Sequence, residues 1–295
     1  MEYPSAVASA MWVAIEPFAG AGLMNADVRA AMEPYGLSGR SAFFAVRTSP
    51  LGAVSPRVVA AVCHGFSVSI VEKSVTGMWE RLTPRQAIDL SHDAFTALAT
   101  RVWADAYPVD SLRETTDVLA RVIAELDVAG KPLAAGNQAV PLPDEPWARL
   151  WRCVTTLREY RGDSHVGALV SHDLSSTESQ VLGTVWRPDG YDVPMLQRSR
   201  GIDDDAWSAA RVSLHARGLL DAEGDITTKG QRVRDQVEHD TDVACMRIWS
   251  QLTPAELTTA HSLLLALSMH LFADRTEAPR GAVAMPWPPP PLTLV

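Results

Sequence analysis

Arg158, Arg161 and His165 fall where a helix should carry its apolar stripe, and their side chains suit anion capture and proton transfer. A planar guanidinium forks onto a carboxylate or phosphate. An imidazole moves protons near neutral pH. Glu159 and Asp163, four residues apart, share a second face and could orient His165 or serve as its base. His165, Asp163 and Glu159 are therefore the candidate catalytic residues, and Arg158 and Arg161 are candidate ligand holders. Charges on a core-facing stripe are costly unless they are paired or bind something.

The element that must position them starts at Asp144-Glu145-Pro146, where a capping acid precedes a first-turn proline. Trp147, Trp151 and Val154 then recur at the spacing of one apolar face. Continued at about 100° per residue, that face passes through Arg158, Arg161 and His165 to Leu169 and His172. Gly162 is a point where the helix could bend or stop. Arg47, before the Pro50-Leu51-Gly52 turn, and Glu16, near the end of an apolar first helix, are further ligand-site candidates. A pocket between the two halves would draw on both sets and would suit a small anionic or polar ligand. A second reading stands level with it: Arg158, Arg161, Glu16 and Asp163 as an internal ion-pair network joining the halves.

The 295-residue chain is 47% hydrophobic with a net charge of −9, so it can bury a large core. An acidic balance argues against non-specific nucleic-acid or membrane-surface binding. Cys63, Cys153 and Cys245 are far apart and form no CxxC pair, which fits reduced thiols rather than a disulfide framework. No stretch approaches eighteen apolar residues free of charge. The first residues lack a basic region and include Glu2 and Glu16, so they read as a mature helix of a cytoplasmic protein. There is no GxGxxG, P-loop or GxSxG, and no HExxH or Cys/His cluster, so no cofactor and no metal is expected.

The fold class is mainly α, with a helical N-terminal domain followed by a winged helix-turn-helix domain with a small β-hairpin. Residues 1–130 form the first domain, opening on a helix from Ser5 to Glu16 that Pro17 ends. Gly130 to Pro146 loses helical periodicity, so 131–146 is a linker. Residues 147–277 hold the long helix, the winged helix and a last apolar helix. Residues 278–295 are a proline-rich, extended tail. An exposed apolar last helix would also suit a homodimer.

Within the second domain, Ser175-Ser176-Thr177-Glu178 gives a capping-box signal, and Asp203-Asp204-Asp205 caps a further helix. Leu219-Leu220, the turn Ala222-Glu223-Gly224-Asp225 and Ile226-Thr227 read as a hairpin before a final helix. Arg217-Gly218-Leu219-Leu220 with Ile226-Thr227-Thr228-Lys229-Gly230 resembles the wing of the MarR family. Between Arg198 and Asp242 seven basic residues meet ten acids, and the would-be recognition helix begins with three aspartates. DNA is therefore a disfavoured partner.

Trp12 with Glu16-Pro17, Phe44 with Arg47 and Pro50-Leu51-Gly52, Leu157-Arg158 with Arg161-Gly162-Asp163 and His165, and Arg217-Gly218-Leu219-Leu220 with Thr241-Asp242 span most of the chain. Together they resemble an uncharacterised actinobacterial family with a helical N-terminal half and a MarR-like winged-helix C-terminal half. The resemblance implies no established activity. That family tends to carry a His just after Glu-Pro, where this chain has Phe18-Ala19. It tends to carry an aromatic or Asn pair before Phe66, where this chain has His64-Gly65. Those departures make His64 a further ligand-site candidate. The leading functional reading is a small-molecule-binding protein, in the form of a cofactor-free acid/base enzyme of specialised metabolism. The alternative is a ligand-responsive winged-helix transcription regulator.

Overall fold

The computed structural model describes residues 3–272 and 283–294, so the expected start of the tail at 278 lies outside the described residues. The N-terminal half runs through α1 (Ala6–Met24), α2 (Ala26–Met32), α3 (Arg40–Thr48), α4 (Pro56–Val62), α5 (Val68–Val75), α6 (Met78–Arg81), α7 (Pro84–Val102) and α8 (Val109–Ala124). Next come α9 (Pro132–Ala139) and the 26-residue α10 (Pro146–Ser171). The C-terminal half holds α11 (Ser176–Trp186), α12 (Val193–Arg200), α13 (Asp204–Ala216), α14 (Thr228–Trp249) and α15 (Pro254–His270). Capping boxes at Thr83/Gln86, Ser175/Glu178 and Thr253/Glu256 start α7, α11 and α15 by satisfying orphan backbone N–H groups.

The first helix does not stop at Pro17. Proline lacks an N–H and its ring crowds the preceding turn, so the ladder opens beside it. The Ser268 hydroxyl of α15 enters that gap, accepting from the Phe18 N–H at 3.2 Å and donating to the Ala14 carbonyl at 2.6 Å. A side chain inserted into the ladder keeps both backbone groups satisfied and lets α1 continue to Met24. The segment Ala6–Tyr35 is long and apolar enough to cross a membrane by composition, but 72% of its most apolar window is buried within the protein.

α10 packs against α1, α7, α8, α9 and α14 and is buried on almost every side. Trp147, Trp151, Arg152, Leu157, Glu159 and Asp163 are all inside. The sequence expectation of one apolar stripe fails here because a central helix has no solvent face to set the period. It runs unbroken through Gly162. The span 131–146, expected to be an aperiodic linker, carries α9, whose Leu133, Ala134 and Asn137 are buried. The last helix is not an exposed apolar element either. Leu257, Leu264 and Leu267 of α15 are spent on α1 and α8, which removes the premise of the homodimer argument.

Two hydrophobic clusters form. The large one unites the N-terminal helices with α15, the first half of α10 and the end of α14. The small one gathers Ala168 and Leu169 of α10, Val181 and Leu182 of α11, Ala210 and Leu214 of α13, and Val237 of α14. α10 and α14 therefore pass through both. Helix α13 packs on α11 within that small cluster. The expected hairpin is reduced, among the described residues, to one antiparallel bridge between Leu220 and Ile226. The Asp221 side chain accepts from the Asp225 N–H, and Thr227 already caps α14. One residue on each side of the turn is too little for a strand.

Candidate functional site

Four of the expected residues meet where α1, α3 and α10 converge. Arg47 of α3 forks onto Glu159, with Nε and Nη2 donating at 3.1 and 3.0 Å. Arg158 donates from Nη1 to Glu159 at 2.7 Å and from Nε and Nη2 to Glu16. The Glu159 side chain has no exposed surface. Burial alone would raise its pKa, but Arg47 and Arg158 outweigh burial and hold it at about 2. Burial also opposes the Arg158 charge, and Glu16 and Glu159 reverse that effect, raising its pKa. This part of the set is an internal ion-pair network, with each guanidinium already engaged.

Arg161 points the other way, toward α14. Its Nη2 donates to Glu238 at 3.0 Å and its guanidinium lies 3.8 Å from the Trp12 ring centroid. His165, one turn along, follows the same face: its Nδ1 lies 3.1 Å from the Thr241 hydroxyl and 3.9 Å from Glu238 Oε1. Burial is the main influence on His165 and lowers its pKa to about 3, so the ring is neutral at neutral pH. A quarter of its side chain, 25%, nonetheless remains accessible. The ring is therefore desolvated by the protein around it and still partly accessible.

Neither expected acid reaches His165. Positions 159 and 163 lie about 240° and 200° behind it around the helix. Asp163 instead accepts from the Ala134 N–H at 2.9 Å, closing the first turn of α9 from outside. Burial raises the Asp163 carboxyl from 3.8 to about 7. The folded state thus holds this proton more tightly than the unfolded chain does, and its contribution to stability falls as pH rises from about 4 to about 7. Asp163→Asn should keep the bond to Ala134 and flatten that fall. Urea midpoints at pH 4, 5.5 and 7 check this, and parallel curves for parent and variant would refute it.

Around His165 and Glu238 lie residues that sequence reading did not pick out. Arg234 of α14 is buried, donates from Nη2 to Glu238 at 2.7 Å and stacks 4.5 Å from the Trp186 ring centroid. Arg187, at the end of α11, lies 4.0 Å from the same ring. Tyr191 and Arg200 are half-buried, and Arg200 sits 4.2 Å from the Phe66 ring centroid. Burial pulls Arg200 down to about 10. His64 lies beside the Leu174 backbone, close enough to His165 for their charges to interact. Arg200 and Arg234 entered the sequence reading only as two of the seven basic residues between Arg198 and Asp242. Among the described residues no group of three or more His, Cys, Asp or Glu side chains is arranged to hold a metal. Two surface pockets lie elsewhere, one between α8 and the start of α10 and one in the turn before α13.

A family model described as a helix-turn-helix family matches residues 8–278, nearly the whole chain. No curated protein and no solved structure matches it.

Proposed function

The chain belongs to that helix-turn-helix family, and we propose that it is a ligand-responsive regulator, with the cleft between its halves as the sensor. The carrying observation is that α10 and α14 each supply cleft residues and then enter the cluster that holds α13. Arg161 and Leu169 are eight residues apart on α10, about 12 Å at 1.5 Å per residue. Arg234 and Val237 are one turn apart on α14. A molecule that resets Arg161 against Arg234 therefore acts on the helices that seat α13. The wing enters the reading in its reduced, MarR-like form.

The surface of α13 sets the size of the effect. Asp204, Asp205, Ser208, Ala209 and Val212 are exposed, Arg217 is engaged with Glu178, and Arg211 lies against Gly224. Acids facing phosphates oppose the interaction that supplies much of DNA affinity. Removing them should strengthen binding. A gel shift of the chain's own promoter DNA at low salt is expected to show weak binding by the parent. The Asp204→Asn/Asp205→Asn variant should bind at several-fold lower protein concentration. No shift by either protein at about 10 μM, the middle of the range of non-specific affinities, ends the regulator reading.

The acid/base enzyme reading has less support. Glu159 is saturated by two arginines, Asp163 caps α9, and His165 is a neutral ring tied to Thr241. None of the three is left as a free base beside another.

A further inference from the structure

We infer that the Arg161–Arg187–Arg234 face of the cleft is a binding site for the oxyanion group, carboxylate or phosphoryl, of a small molecule. The argument starts from charge. These three guanidiniums come from α10, the end of α11 and α14, and among the described residues Glu238 is the one carboxylate hydrogen-bonded to any of them. Among the described residues Arg187 has as its acceptor the Ala284 carbonyl, at 3.4 Å. Asp242 is a further acid whose charge interacts with Arg161 and Arg187, and burial raises its carboxyl to about 6. Even with Asp242 ionised, three cations face two anions in a space that excludes most water. Enclosed charge of one sign is costly until a counter-ion joins it.

Hydrogen bonding gives a second, independent reason. Among the described residues Arg161 Nε and both Nε and Nη1 of Arg234 are buried N–H donors without an acceptor, against one buried acceptor without a donor, Asp242 Oδ1, and Arg234 is only 4% exposed. Buried donors left unmade cost more than a weak bond gains. An oxyanion offers several lone pairs in the planar spacing that guanidinium forks match. The Trp186 ring keeps Arg187 and Arg234 together, at 4.0 and 4.5 Å from its centroid, in spite of their like charge. Tyr191 beside them adds a phenol to the wall.

This site rests on the sensor reading only in placing a ligand in the cleft, and its test needs no DNA. Calorimetry of the full chain with inorganic phosphate, benzoate and chloride at matched ionic strength is expected to give saturable binding of phosphate or benzoate below about 1 mM, a range within reach of a few charge-assisted bonds. Whichever of the two binds identifies the source of the oxyanion. Arg187→Gln, at a half-exposed position, should weaken that binding at least tenfold, and Arg187→Lys should give an intermediate loss. Phenylglyoxal labelling of the unaltered protein gives a measurement free of folding effects: the bound anion should slow modification of Arg187 at least tenfold, and chloride should not. Binding no better than chloride, binding unchanged in Arg187→Gln, or no protection of Arg187 would each overturn the site. An anion that binds while no DNA shifts would remove the regulator and leave this site standing; the reverse result would do the opposite.

Discussion

Glu159→Gln should cost about 3–5 kcal/mol of stability, the range for removing one partner of a buried ion pair. Glutamine keeps the shape and one acceptor oxygen but not the charge that two guanidiniums share. Arg158 retains Glu16, whereas Arg47 loses the only carboxylate bonded to it. The uncompensated group is Arg47, buried beside Phe43 and Cys63. The parent's pH dependence carries the same information. Because Glu159 titrates at about 2 when folded and near 4.5 when unfolded, its contribution is complete above pH 4.5 and disappears as pH falls toward 2. Urea unfolding at pH 7 and pH 3 therefore checks the claim twice: the variant should be far weaker at pH 7 and much closer to the parent at pH 3. Arg47→Met combined with Glu159→Gln should recover part of the loss, since an uncharged pair in that space needs no counter-charge. A loss below about 1 kcal/mol at pH 7, the worth of a surface pair, would mean that water reaches the network.

The network and the cleft were legible in the sequence to different degrees, and the reason is α10. Its cap at Glu145-Pro146 and the shared face of Arg161 and His165 follow from local chemistry and a fixed 100° step, and both are present. The side of the helix that each charge must avoid could not be read, because a helix surrounded by five others has no outside. Asp163 thus became a presumed partner of His165, when its real partner is the first turn of α9, in a span without helical period. Arg152 was not singled out in the sequence. It is 2% exposed and donates to His92 and Asn137, and among the described residues no carboxylate is hydrogen-bonded to it. The helix-turn-helix order was legible from its caps and turn, since Ser175 and Asp203 cap the helices they precede, whereas Thr227, read as part of the hairpin, caps α14. The continuation of α1 through Pro17 was not, because it depends on a serine 250 residues away.

Trp151→Ala should be at least as damaging as loss of Glu159, and the glycine opposite it shows why. The Trp151 ring stacks on Phe95 at 4.9 Å, donates from Nε1 to the Ala19 carbonyl at 3.1 Å and is 1% exposed. Removing it leaves a cavity in the largest aromatic group of the core, at about 3–5 kcal/mol. The ring also occupies the space a side chain at position 22 would need. A Cβ on Gly22 would fall 2.2 Å from the indole, a separation no packing relaxes without moving α1 away from α10. Gly22→Ala alone should therefore destabilise by about 1–3 kcal/mol, as over-packed cores do. The two effects oppose each other in space, so they should not add. In a Trp151→Phe background the indole's second ring is gone, and Gly22→Ala should cost less than half of what it costs in the parent. Chemical denaturation of the four proteins gives the coupling energy directly. Additive losses would show that Gly22 is required by something other than the indole it faces.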